Sequence, residues 1–212
     1  MYVGRIVALG KTSEGRNAVI YRVSSRSFPN RKAVINNGII SIIPREGFEK
    51  DIHRNPYIAY NTIRIAANWA IATNGTHTDP IAEKVLAGVP LKEAISTTLM
   101  ALDYEKDDYK TPRIVAAVPH LGDSGWLAIV RHDALIVKEV ALQFRSSQYL
   151  ATYEANEINN KQICSFDAST AEEAARYIIE GDSYNVFEKP VTSAAAIADS
   201  DGFELGIQIM NP

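Results

Sequence analysis

The sequence predicts an α+β protein, a four-layer αββα sandwich of two mainly antiparallel sheets. Three observations lead there. Segments of strand character come in runs instead of alternating one by one with helices, the pattern of layered α+β folds and not of βαβ units. Nine or so strands are too many for one sheet flanked by three helices on one side. With 46% hydrophobic residues among 212, the chain can bury a sizeable core, and it reads as one domain over residues 1–212.

The first quarter is antiparallel sheet. Alternation and β-branched residues mark strands in "YVGRIVAL", "NAVIYRVSS", "KAVIN" and "IISIIP", and "NNG" at 36–38 supplies the positive-φ residues of a tight hairpin turn. "YIAYNTIRIA" and "WAIATNG" form another hairpin through Ala67 and Asn68. The period then changes. "THTDPIAEKVLAG" starts a helix, with Asp79 as cap, Pro80 at its first position and Gly88 as its end, and "PLKEAISTTLMALDYE" (90–105) is a second. "RIVAAVP", "GWLAIVR", "ALIVKEVAL" and "SQYLATYE" restore the strand pattern, "STAEEAARYIIEG" is a capped helix, and "FELGIQIM" closes with a strand. No repeat or low-complexity linker interrupts the order.

Charge is unevenly distributed. Residues 15–45 hold six basic residues (Arg16, Arg22, Arg26, Arg31, Lys32, Arg45) and no carboxylate, whereas the other 181 residues carry 16 basic against 25 acidic, or −9. A broad positive field, as nucleic acid requires, is therefore excluded, and a small anion in a pocket is favoured. One cysteine, Cys164, excludes an internal disulfide and a cysteine-based zinc site. His53, His77, His120 and His132 never fall at i, i+4 spacing, so no metal site is expected. No apolar stretch reaches the roughly 18 residues of a membrane span, and the start lacks a signal-peptide pattern. The expectation is a soluble, intracellular protein without membrane or nucleic-acid partners.

Four stretches can carry chemistry. In "NAVIYRVSS", Tyr21 shares a face with Val19 and Val23, while Arg22 and Ser24 share the other. With Ser25, Arg26 and Arg31 from the following loop, these side chains suit a phosphate monoester, because each oxygen takes several donors and arginine binds it bidentately. A solvated hairpin edge is the alternative. "HRNPYIAYNTIRI" places Asn55, Tyr57 and Asn61 on one face and Tyr60 and Arg64 on the other, which reads as a polar pocket or as structural tyrosines. "LDYEKDDYKTPR" clusters Asp103, Glu105, Asp107 and Asp108 at a helix C-terminus, where acids gain nothing from the dipole, beside Lys106. That is a solvated helix end or a proton-transfer group. In "ATNGTHTDP", Asn74 and Thr78 are left open, Asp79 caps, and His77 is read as a surface histidine.

Taken in order, "YRVSSRSFPNR", "RNPYIAYN", "NGTHTD" and "DYEKD" followed by "TPRI" resemble the archaeal IMP cyclohydrolase family, and the similarity runs from "MYVGR" to "PVTSAAAI". The resemblance implies an Ntn-hydrolase-like fold and a cytoplasmic enzyme of purine biosynthesis. Its reaction would be closure of 5-formamidoimidazole-4-carboxamide ribonucleotide to IMP, without a cofactor. Substrate and product are then the partners, and homo-oligomerisation stays open. On this resemblance Arg22, Ser25, Arg26 and Arg31 anchor the 5′-phosphate, and Tyr57, Tyr60 and Asn61 shape the pocket. Asn74 and Thr78 join the substrate-binding set. Glu105 shuttles the proton, with Lys106 or Tyr57 stabilising the oxyanion. The chain starts Met1-Tyr2, so the N-terminal Cys, Ser or Thr nucleophile of amidohydrolases with this fold is not expected here. Cyclisation does not require one. A purine-nucleotide-binding regulatory protein of the same fold is the competing reading; it has no use for the Glu105-Lys106 pair.

Overall fold

The computed structural model describes residues 1–181 and 183–210. The chain runs β1 (Arg5–Lys11), β2 (Asn17–Ser24), β3 (Arg31–Asn36), β4 (Ile39–Pro44), a short helix α1 (Asp51–Arg54), a 3₁₀ turn at Pro56–Ile58, β5 (Tyr60–Ala66) and β6 (Trp69–Thr73). Helices α2 (Thr78–Leu86) and α3 (Leu91–Leu102) follow. The remainder is β7 (Arg113–Pro119), β8 (Ser124–Arg131), β9 (Ala134–Ala141), β10 (Ser146–Ala151), β11 (Ile163–Ser165), α4 (Ala171–Glu180), β12 (Pro190–Asp199) and β13 (Gly202–Ile209).

All strand pairs are antiparallel, in a six-stranded sheet ordered β11-β10-β1-β2-β12-β13 and a seven-stranded sheet running β3 to β9 in sequence order. The second sheet is a meander because its turns are local. Asn37 and Gly38 both adopt positive φ between β3 and β4, and Ala67 does so between β5 and β6.

Three buried layers show how the sheets stack. Val7, Leu9, Val19, Tyr21 and Val23 of the first sheet meet Ile40, Ile42, Ile63, Ile114 and Leu127 of the second. The opposite faces of β1 and β2, carrying Ile6, Ala8, Ala18 and Ile20, pack under α4 through Ala171, Ala174, Ala175 and Ile178. On the far side, Ile71, Val115 and Ala117 pack under α2 and α3 through Ile81, Ala82, Ile95 and Leu99. The order is helix, sheet, sheet, helices, which is the αββα sandwich. Contact in the outer layer is backbone-close, since a Cβ on Gly206 of β13 would lie 2.2 Å from the Ala171 carbonyl carbon. Among the described residues, no helix is long and apolar enough to cross a membrane.

Four differences from the sequence reading matter. The alanine-rich "PVTSAAAIAD" is β12, between β2 and β13, with Ala194 and Ala196 facing the other sheet and Ala195 and Ile197 facing α4. Alanine is a poor strand former, but small side chains suit a strand packed on both faces. Short β11 and α1 also carry no periodic signal. Helix α3 ends at Leu102, three residues early, where Asp103 at φ 55° turns the chain away. Finally, β5 starts at Tyr60, because Pro56 occupies the first position of a 3₁₀ turn whose Tyr57 N–H donates to Asn55 Oδ1 at 2.8 Å.

Candidate active site

The inter-sheet core ends where β1 and β3 begin. Arg5 lies on the same face of β1 as Val7 and Leu9, and Arg31 on the same face of β3 as Ala33, so strand alternation aims both arginines between the sheets. Here a cavity of about 300 Å³ is lined by Arg5, Arg26 and Arg31, by Ser24, Ser25 and Ser27, and by Tyr2, Tyr109 and Tyr153, with Phe28, Asn55, Ile58 and Asp107 completing the wall. That volume is at the lower end for small-molecule sites.

The cations differ in what they already hold. Arg26 is exposed at the rim, paired with Glu188 at 2.8 Å and stacked 4.4 Å from the Tyr2 ring centroid. Arg31 is 2% exposed; Nε donates to Phe28 O at 3.0 Å, and Nη1 is buried without a partner among the described residues. Among the described residues no carboxylate comes within 4.0 Å of it. Burial, reinforced by the neighbouring Arg5 charge, lowers its proton affinity. An uncompensated buried guanidinium is costly, so a wall containing one is preorganised for an anion. The Ser25 hydroxyl accepts from Phe28 N–H at 3.0 Å, which closes the loop over Arg31.

Behind Arg5 stands Glu105, with no exposed surface. Its backbone N–H is held by Thr111 O at 2.8 Å. Oε2 is 3.9 Å from Arg5 Nη2 and Oε1 is 3.8 Å from Arg113 Nη1, both too long for hydrogen bonds, and neither oxygen has another partner among the described residues. Burial pushes this carboxyl up to about 7, against the pull of Arg5, Arg113 and Arg31, with nearby Asp107 adding to the rise. Burial is the largest cause, and of the acids near it in sequence it is Asp107 that stands among the main contributors. Asp107 itself is held by Thr111 N–H at 2.8 Å and by the Thr111 hydroxyl at 2.6 Å, and that hydroxyl lies 3.0 Å from Tyr153 Oη.

Of the residues chosen from sequence, the structure brings Ser25, Arg26 and Arg31 to the cavity and Glu105 one side chain behind it. Tyr57 is half-buried, its ring 5.9 Å from the Arg113 guanidinium carbon, and the Tyr60 hydroxyl is buried 2.5 Å from that of Tyr21.

Six positions are corrected. Arg22 faces α4, as alternation requires, and donates to Ile178 O, Tyr184 O and Phe187 O at 2.7–3.1 Å and to Ser24 Oγ at 3.0 Å. It ties the 178–187 segment to the sheet and does not reach the cavity. Lys106 is exposed, 2.6 Å from Asp103 and above the Tyr104 ring, so it offers no oxyanion donor to the cavity. Asn61 bridges Ser41 and the carboxylate of Asp79. Asn74 joins β6 to β7 by donating to Pro112 O and accepting from Ile114 N–H. The Thr78 hydroxyl sits 2.5 Å from Asn61 O and 2.9 Å from Gly75 O at the start of α2. Asp79 makes no capping bond; it lies in the first turn and pairs with Arg64 at 3.1 Å.

The role of Arg22 gives an expected outcome. Arg22→Met removes the guanidinium bonds to three buried carbonyls, of which Tyr184 O keeps Phe187 N–H at 3.0 Å, and costs roughly 3 kcal/mol in urea unfolding, while IMP affinity of the folded protein is unchanged. Weakened affinity at full stability would return Arg22 to the ligand.

Sequence reasoning missed Arg5, Arg113, Tyr2, Tyr109 and Tyr153, and named Asp107 only as a member of the acidic cluster. One signal was available for Arg5: it is the one charge in the otherwise apolar opening stretch "MYVGRIVALG".

Fold and site together define an αββα sandwich with an anion-binding cavity at the open end of its inter-sheet layer and a buried carboxyl behind it. The chain belongs to the IMP cyclohydrolase-like protein family, whose model matches residues 2–202. It is 45% identical over its full length to all of a protein from Methanosphaera stadtmanae named IMP cyclohydrolase. Proteins of the same name from Methanococcus maripaludis strain C7 and Methanocaldococcus jannaschii are 45% and 43% identical, over 97% of this chain and 98% of theirs.

Proposed function

We propose that this chain is an IMP cyclohydrolase, closing 5-formamidoimidazole-4-carboxamide ribonucleotide to IMP with loss of water. The observation that carries the reading is an anion cavity with an uncompensated buried arginine beside a near-neutral buried carboxyl, in a chain matching proteins named for this activity end to end.

The 5′-phosphate enters the cradle of Arg31, Arg26 and Arg5, with Ser25 among its hydroxyls. Arg31 gains the countercharge it lacks. Anchoring there leaves formamide and carboxamide to be rotated into contact, and prealignment of an intramolecular reaction lowers the barrier by on the order of 7 kcal/mol or more. The carboxamide nitrogen attacks the formyl carbon, forming the N–C bond. The tetrahedral carbinolamine loses its hydroxyl as water together with the former formamide N–H proton, leaving the ring C=N bond, after one carboxamide proton has been taken up and returned to the formyl oxygen. Glu105, with a proton affinity near neutrality, suits both uptake and return of that proton. Since Arg5 separates it from the cavity, the proton passes through a water beside Arg5. With Lys106 turned outward, Arg5 is the cavity cation nearest Glu105 and is assigned the developing oxyanion, in the role first given to Lys106 or Tyr57. Tyr57 packs against Arg113 and supports this wall.

Purified protein mixed with the formamido ribonucleotide yields IMP, followed by its ultraviolet absorbance. The unphosphorylated nucleoside, lacking the anchor, reacts with kcat/KM lower by on the order of a hundredfold or more. Absence of IMP would overturn the activity; equal rates for nucleotide and nucleoside would overturn the phosphate cradle.

A further inference from the structure

His77 was read from sequence as a surface histidine, yet it has no exposed surface. Its Nε2 lies 3.1 Å from the carbonyl oxygen of Ile114. A carbonyl only accepts, so Nε2 carries the ring hydrogen and Nδ1 presents a bare lone pair. Burial, together with the Arg113 charge, lowers the histidine to about 3 despite the bond to Ile114, so the ring stays neutral and Nδ1 stays an acceptor. Nδ1 is buried and has no partner among the described residues.

Two other buried polar atoms without partners face the same place. A Cβ built on Gly75 would sit 3.1 Å from Glu105 Oε1, 3.1 Å from Arg113 Nη1 and 3.4 Å from His77 Nδ1. Gly75 is not among the residues at positive φ, so the backbone does not demand glycine there; the space does. The turn is held rigidly, with Gly75 O receiving Thr78 N–H at 3.2 Å and lying within 3.1 Å of the hydroxyls of Thr73 and Thr78. Three polar groups, each at most 5% exposed and each from a different segment, thus converge on one small interior space.

We propose that His77 is a positioning residue for Glu105: its bare Nδ1 accepts the proton carried by the Glu105 carboxyl, directly or through one water in the space above Gly75. This rests on the reading of Glu105 as the proton carrier of cyclisation. The pairing is chemically matched, because a protonated carboxyl is a donor and the neutral Nε2–H tautomer offers an unpartnered acceptor at the same space. Arg113 on β7 and Arg5 on β1, with Arg31 of β3 farther off, favour the carboxylate, and Asp107 of its own loop opposes it. Histidine adds what none of them supplies, an acceptor specific for the protonated form. It holds the carboxyl in a fixed rotamer and delays release of its proton.

The test is a ¹³C titration of the Glu105 side chain, assigned with Glu105→Gln, in the parent, His77→Leu and His77→Asn. Both substitutions lose the bond to Ile114, but only asparagine keeps an acceptor oxygen near the position of Nδ1. His77→Leu lowers the Glu105 midpoint by about one pH unit, and the acid limb of the kcat profile moves with it while KM holds. His77→Asn restores the midpoint most of the way. Identical midpoints in the parent and His77→Leu would overturn the proposal, leaving His77 as a tie to β7. If His77→Leu does not fold, Gly75→Ala places a methyl group in the same space: a displaced midpoint and a kcat lowered about tenfold are expected, and a parental midpoint and kcat would overturn the proposal. Should the parent form no IMP, the proposed function fails, and the titration still decides the His77–Glu105 link.

Discussion

Glu105→Gln lowers the turnover number on the order of a hundredfold or more while IMP affinity stays nearly constant. The amide keeps the shape of the side chain but cannot take the carboxamide proton. Asp103→Asn, at a half-exposed acid already paired with Lys106, leaves turnover within a few-fold. Stability changes in the opposite sense from activity. In the unfolded chain Glu105 releases its proton near 4.3, whereas in the folded protein it keeps it up to about 7. Between those values the folded state binds the extra proton, so the contribution of Glu105 to stability is fully present below about pH 4 and is lost as pH rises through 7. The loss amounts to roughly 3 kcal/mol. Glutamine does not titrate, so Glu105→Gln gains that amount relative to the parent between pH 4 and pH 8, measured by urea unfolding at each pH. A mutant as active as the parent would remove Glu105 from the chemistry, and a pH-independent stability difference would show that its carboxyl is not raised.

Arg31→Met weakens IMP binding by roughly 1.5 to 3 kcal/mol, about 10- to 150-fold in Kd by calorimetry. The ligand-free protein stays within about 1 kcal/mol of the parent, because methionine keeps the buried stem and removes a charge that has no carboxylate partner. Loss of affinity without loss of stability distinguishes a ligand-binding arginine from a structural one, and Arg22→Met reverses both signs. Unchanged affinity for IMP in Arg31→Met would dismiss the cradle.

Arg22 and Arg31 also show how far the sequence could be read. Both belong to the carboxylate-free stretch, and charge counting treats them alike. Strand parity already separated Arg22 from Tyr21 and Val23, but which face of β2 would lie under a helix depended on α4, more than 140 residues away. Once α4 docks, Arg22 meets carbonyls that satisfy it, whereas Arg31 meets the end of the inter-sheet layer. The same limit applies to "LDYEKDDYK". Its excess of acid at a helix end was visible as an anomaly, yet Glu105 and Lys106 are adjacent and have opposite fates, one wholly buried and one exposed. Turning out of α3 at Asp103 decides that, and no periodicity announces it.

By itself the sequence determined what local chemistry can determine. Glycine, asparagine and proline at the turns set the hairpins of the meander, period-2 alternation set the two-faced strands of a double sheet, and the run of uncompensated arginines announced a small anion. Tertiary structure alone decided which charges share a site. Arg5, Arg31, Glu105 and Arg113 come from β1, β3, a loop and β7, and they meet because two sheets end at the same level. Their proton affinities follow from that burial, and desolvation is a property of the assembled layers, not of any segment within them.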